Sequence, residues 1–260
     1  MALLSGCATH PLTGRDQIIV LPAVQALHAD VSFAVATAAN GAVPSPACEQ
    51  PCSGAGDIAG FSARVAAIGA RFEVSARAIA PETFERIAGF QIEVNDAMGV
   101  STGSSAGGRV VLGAGLARLA PTDGVISFLI AREMAHVIAR HAEENSGASI
   151  AFSVLGILFP GFNLIAKAIA SKVGSSMLTG SWEAQQQREA DEIAVALLEH
   201  SGLSAKIIAL ELDAGLANDR LPADAWGASY LASTRRVALI AASPPRYAEV
   251  IDLIRAAETR

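Results

Sequence analysis

Helical periodicity dominates the chain. From Asp16 to Asn40 apolar residues recur three and four positions apart in an Ala/Val-rich stretch that Pro22 interrupts, and the same spacing predicts a helix from about Ile58 to Ala78. Phe90-Gln91-Ile92-Glu93-Val94 alternates instead, as a half-buried strand does. A Gly/Ser-rich turn, 99–108, separates it from a second short strand, Arg109-Val110-Val111-Leu112. The longest helix should run from about Asp123 to Glu144, with Thr122 or Asp123 as its N-cap. Further helices are expected at roughly Trp182–His200, Ser204–Ala217 and, after Pro244-Pro245, Tyr247–Ala257. Residues 8–15 read as a tether and 41–56 as a Pro/Cys/Gly loop, with no internal repeat or heptad array.

Ser146 to Ala166 carries no charged residue and is long enough for a membrane span. Pro160-Gly161 and Asn163 break it in the middle, so it reads as two short helices in a hairpin, buried or lying on a surface. The Gly-rich turn lacks Gly-Lys-Ser/Thr and does not fit G-x-G-x-x-G before a helix, so it connects strands rather than cradling phosphate. The division that follows is a tether over 1–15 and one domain over 16–260, with 146–172 as an apolar helical hairpin insert.

Composition narrows the classes. With 260 residues, 52% apolar and a net charge of −6, the chain can bury a core and is not a disordered tail. Nineteen scattered Lys and Arg against 25 acidic residues offer no basic stripe for nucleic acid. Alanine makes up about one residue in five, which favours helix.

Leu4-Ser5-Gly6-Cys7 resembles a bacterial lipoprotein signal box, in which cleavage before the cysteine is followed by acylation of Cys7. No basic residue and only a few apolar ones precede it, so either the start lies upstream or Cys7 is an ordinary residue. With Cys7 lipidated, Cys48 and Cys52 remain as an even pair, expected as a short-loop disulfide in an oxidising compartment; the alternative is two reduced, exposed thiols.

The chemistry-bearing segment is Ile130-Ala131-Arg132-Glu133-Met134-Ala135-His136-Val137-Ile138-Ala139-Arg140-His141. Set beside H-E-x-x-H it keeps Glu133 and His136 and has Arg132 for the first histidine. In that motif two histidines one helical turn apart share zinc while the Glu acts as general base. Further on, Gln187-Arg188-Glu189-Ala190-Asp191 is similar to the E-x-x-A-D element that supplies a carboxylate ligand. With Cys7-Ala8-Thr9-His10-Pro11-Leu12-Thr13-Gly14-Arg15-Asp16-Gln17 after the lipid box, these pieces resemble the HtpX-like and BepA-like zinc metallopeptidases of family M48, whose members include periplasmic lipoproteins.

The resemblance implies an α+β fold of zincin type, mostly helical with a small β-sheet. It assigns Glu133 as the family's general base, His136 as a zinc ligand, Arg132 and Gln187 as the other ligand positions, and Asp191 as a carboxylate behind them. A further family histidine near the C-terminus falls on Arg235, in Ser233-Thr234-Arg235-Arg236. One imidazole cannot hold zinc tightly, and a guanidinium repels it. The expectation is therefore no metal, with Arg132 in the metal's place and paired with Glu133 or Asp191. His141, five residues past His136, has poor helical spacing for shared coordination and reads as solvated or capping; Glu189 is a possible substitute ligand. His10, His28 and His200 read as surface or tether residues.

Three functions follow. The first is a zinc-free pseudoprotease, anchored by lipid in the periplasm with the outer membrane favoured, that binds polypeptide or an envelope partner. The second is an active zinc metalloendopeptidase with atypical ligands, such as His136, His141 and Glu189, acting on misfolded envelope proteins. The third is a structural membrane-associated lipoprotein working through its apolar hairpin.

Overall fold

A computed structural model describes residues 7–19, 22–42, 57–99, 101–146 and 184–217. Its centre is α3, Asp123–Ile138, in which every residue from Val125 onward is buried. Neighbours cover all its sides, so it is mostly apolar, with Ser127, Arg132, Glu133 and His136 as its buried polar positions. The Thr122 hydroxyl accepts from the Val125 amide at 3.2 Å, confirming the expected N-cap. α2 (Ile58–Ile79) lies on one flank, where Phe61, Val65, Ile68 and Phe72 supply its buried stripe. α4 (Ala184–His200) and α5 (Ala205–Ala217) pack on others.

Three strands complete the layer: β3 (Gln91–Asn95), β4 (Thr102–Ser104) and β5 (Arg109–Gly113). The order is β3-β5-β4, with β3 parallel and β4 antiparallel to β5. β5 is a continuous apolar run because both its faces are covered. Val110 and Leu112 join the main core with α2, α3 and α4, whereas Val111 joins Ala29 and Phe33 of α1 (Pro22–Ala42) on the other face. β5 ends at Gly113, where an added Cβ would stand 2.1 Å from the Gly99 carbonyl oxygen. No side chain fits that approach.

The fold is thus α+β, mostly helical with a small sheet. Several boundaries differ from the sequence reading. Pro22 opens α1 rather than interrupting it, as proline does at a first helical turn. The Gly/Ser-rich turn contains β4. The long helix stops at Ile138, and Arg140 takes a left-handed φ of +58° before a helical stretch over 141–146.

The expected tether also has structure, and Asp16–Ile18, expected as the start of a helix, is a strand. β1 (Cys7–Thr9) and β2 (Asp16–Ile18) form an antiparallel hairpin with Cys7 opposite Ile18. Its loop closes through the Gly14 amide on the His10 carbonyl at 2.8 Å, with Gly14 at φ +67°. Cys48, Cys52, Arg235, nearly all of the apolar insert 146–172 and the helix expected at 247–257 lie outside the described residues. No helix among the described residues is long and apolar enough to cross a membrane.

Candidate functional site

Helical spacing puts Arg132 and His136 on one face of α3, and Gln187 and Asp191 on one face of α4. The two faces meet. Arg132 Nε donates to Asp191 Oδ1 at 3.1 Å, and an Arg132 terminal nitrogen donates to Gln187 Oε1. All of this is inside the protein: Arg132 is 7% exposed, Gln187 4% and Asp191 0%. The guanidinium pairs with Asp191, one of the two carboxylates anticipated.

Glu133, the other, turns toward the sheet. Thr102 Oγ1 donates to its Oε1 at 2.7 Å and Ser104 Oγ to its Oε2 at 3.0 Å. Residues two apart in a strand share a face, so Thr102 and Ser104 present both hydroxyls together. Burial pushes the Glu133 carboxyl up from its ordinary range, against the opposing pull of Arg132 and the two hydroxyls. Sequence reasoning missed both hydroxyls. The T-x-S alternation inside the Gly-rich run was the available signal.

A second chain of contacts leaves His136. Its Nδ1 lies 2.8 Å from His141 Nδ1, and His141 Nε2 lies 3.0 Å from Glu189 Oε2. His141 is therefore neither solvated nor a simple cap: it is fully buried. A helix continued past Ile138 would carry it away from His136; the break at Ala139-Arg140 brings it back. Burial lowers the pKa of His141, and lowers that of His136 well below the usual imidazole value, with His141 and Arg132 adding to the latter effect.

The N-terminal hairpin closes this chain. Glu189 Oε1 accepts from Thr13 Oγ1, and Glu189 Oε2 accepts from Arg15 Nε. The rest of the Arg15 fork holds Glu144 at 2.9 and 2.7 Å. His10 Nε2 reaches the Ile138 carbonyl at 3.3 Å and Gln17 Nε2 donates to the Ala139 carbonyl, so two hairpin side chains cap the end of α3. His10, expected at the surface, is 3% exposed. His28 and His200, also expected at the surface or in the tether, are half-buried. Burial alone would raise Glu189, but hydrogen bonds from His141 and Thr13, with the charge of Arg15, outweigh it and hold the carboxyl at about 2. Glu189 is thereby committed to the hairpin and His141 rather than swinging toward Arg132.

A central helix bearing E-x-x-H, packed on a second helix with an Asp at its inner face and flanked by a small sheet, defines a metallopeptidase-type scaffold. Residues 98–243, more than half of the chain, match the model of Peptidase family M48, and the chain belongs to that family. Among curated proteins none matches the chain.

Peptidases of this family are generally zinc-dependent. The residues at the corresponding positions do not fit the ion. They offer one imidazole (His136), one carboxamide (Gln187) and one guanidinium (Arg132), which has no lone pair to give and carries a fixed positive charge. Among the described residues no group of three or more His, Cys, Asp or Glu is placed to hold a metal. What the arrangement supplies is a buried cation matched by one carboxylate, beside a carboxyl group held by two hydroxyls.

Proposed function

We propose that this chain is a peptidase-fold protein whose cleft holds polypeptide, or an envelope partner, without zinc and without cutting it. One observation carries the reading: the Arg132 guanidinium is bonded to both Gln187 and Asp191. Holding an extended chain needs no metal, since main-chain pairing with a strand supplies affinity by itself. We place the protein in the periplasm, anchored to a membrane, the outer one in preference, by acyl chains on Cys7. Leu4-Ser5-Gly6-Cys7 and the even pair Cys48 and Cys52 support that placement.

The test is metal analysis of protein purified without chelator. The reading expects no stoichiometric zinc. Stoichiometric zinc that disappears in His136→Ala refutes it. The double variant Arg132→His with Gln187→Glu is expected to gain zinc binding.

The contact of His136, His141 and Glu189 favours one second reading, an active peptidase with those three as ligands. It predicts cleavage of unfolded protein that is abolished both by chelation and by Glu133→Gln. The bonds from Arg15 and Thr13 to Glu189 weigh against it, because they occupy the carboxylate that would have to ligate. A lipoprotein working through its apolar insert would instead lose localisation on charged substitution at Leu155 or Phe159 and be indifferent to Glu133.

A further inference from the structure

With Glu189 ionised and His141 neutral, the two contacts of His141 have one consistent arrangement of protons. An ionised Glu189 accepts only, so the 3.0 Å contact with His141 is an Nε2–H donation. A neutral imidazole has one ring proton, so His141 Nδ1 is then an acceptor. Its partner at 2.8 Å, His136 Nδ1, must donate. His136 is left with its lone pair on Nε2. What holds Glu189 in this role comes from far away in sequence: Arg15 Nε and the Thr13 hydroxyl both donate to it, across 174 and 176 residues.

We propose that the N-terminal hairpin is a positioning element of the site: Arg15 and Thr13, acting through Glu189 and His141, fix His136 as the Nδ1–H tautomer with an acceptor at Nε2. Its inner members are buried, with His136, His141 and Glu189 each 3% exposed or less, while Arg15 and Thr13 at its outer end are half-buried. None of its described bonds involves Arg132, Gln187 or Asp191, so zinc bound at those positions leaves the relay intact, whereas zinc shared by His136, His141 and Glu189 would overturn both readings. Among the described contacts Arg15 and Thr13 touch neither Arg132 nor Glu133; Arg15 also holds Glu144, and Thr13 also meets His10.

Ring-nitrogen NMR of the full-length protein, ¹⁵N-labelled at its five histidines, reads the tautomers directly. The expected wild-type result at neutral pH is His136 protonated at Nδ1 and His141 at Nε2, each as a single form. Arg15→Ala frees Glu189 from its cation, and both imidazoles should then show mixed tautomers. Arg15→Lys restores a positive charge and should recover much of the single-form signal. A hairpin that is only a structural strap lowers the melting temperature in Arg15→Ala and leaves the tautomers unchanged. Should Arg15→Ala fail to fold, Thr13→Val, which removes one hydroxyl at nearly constant volume, decides in its place. The proposal is overturned by wild-type His136 protonated at Nε2, or by folded variants whose tautomers match wild type.

Discussion

The Arg132–Asp191 pair sets the largest single energetic stake in the site. Both partners are almost wholly removed from water, at 7% and 0% exposure, and their bond is 3.1 Å. Asp191→Ala leaves the guanidinium inside with the Gln187 carboxamide as its one described hydrogen-bond partner. Removing one member of a buried pair typically costs ~3–5 kcal/mol, because the remaining charge stays desolvated. For a chain of this length that corresponds to a melting-temperature drop of roughly 6–20 °C. Arg132→Met should cost a similar amount, since it strips Asp191 of its counter-charge. The double variant Arg132→Met with Asp191→Leu removes both charges and keeps the volume, so its cost should fall to about 1 kcal/mol, mostly the lost hydrogen bond to buried Gln187. Urea unfolding of wild type, both single variants and the double variant closes the cycle. Additive single costs, or a loss below about 1 kcal/mol for Asp191→Ala, would show that these groups do not form a desolvated pair.

Two carboxyl groups give pH-dependent signatures of opposite sign. Burial raises Glu133, so the folded state binds its proton more tightly than the unfolded chain does; its contribution is present below the ordinary value and lost as pH rises through the folded one. Glu133→Gln should therefore gain stability over wild type at pH 8 and little at pH 4, and equal urea midpoint shifts at both would contradict this. Glu189 is held down at about 2, so its contribution is present above the ordinary carboxyl range and fades as pH falls toward 2. By linkage it is worth ~3 kcal/mol at neutral pH, and the gap between wild type and Glu189→Gln should shrink by more than half between pH 6 and pH 3. A constant gap would mean that Glu189 is not ionised against Arg15 and His141.

Local signals carried far here. α2, α4, α5 and β5 fall within about two residues of their sequence boundaries, because each is a sustained apolar period with a defined start or stop. The pairing of Arg132 with Asp191 was legible too, since charge balance in a buried pocket left two candidate anions. The failures share a cause. β4 is three residues of Thr-Gly-Ser whose strand character comes from β5 rather than from itself. α3 ends where Arg140, not a glycine, adopts the left-handed conformation, so composition gave no stop signal and His141 looked misplaced. His10, Thr13 and Arg15 read as tether, and Gln17 as the start of a helix, because each acts on a residue more than 120 positions away. A local period carries no trace of such partners.

The two departures from the zinc motif make most sense together. A zinc ion facing a glutamate contributes +2 and −1; a guanidinium facing a carboxamide contributes +1 and 0. The net charge presented to Asp191 is the same, and the buried site stays balanced. This predicts an order of stabilities that neither substitution alone would suggest. Gln187→Glu by itself sets a second buried carboxylate beside Asp191 with one guanidinium between them. Arg132→His by itself takes away the fixed cation. Without metal, each single variant and the double variant should melt below wild type, the double variant lowest because it carries two carboxylates and no fixed charge against them. Zinc should reverse that order for the double variant alone. At a free concentration a hundredfold above its dissociation constant the ion adds about 2.7 kcal/mol, or roughly 5–11 °C. Thermal melts with and without zinc measure this directly. If the metal-free double variant melts with wild type and zinc leaves it unmoved, then Arg132 and Gln187 are not heirs to a metal position, and the guanidinium is a core ion pair that merely shares a helix with E-x-x-H.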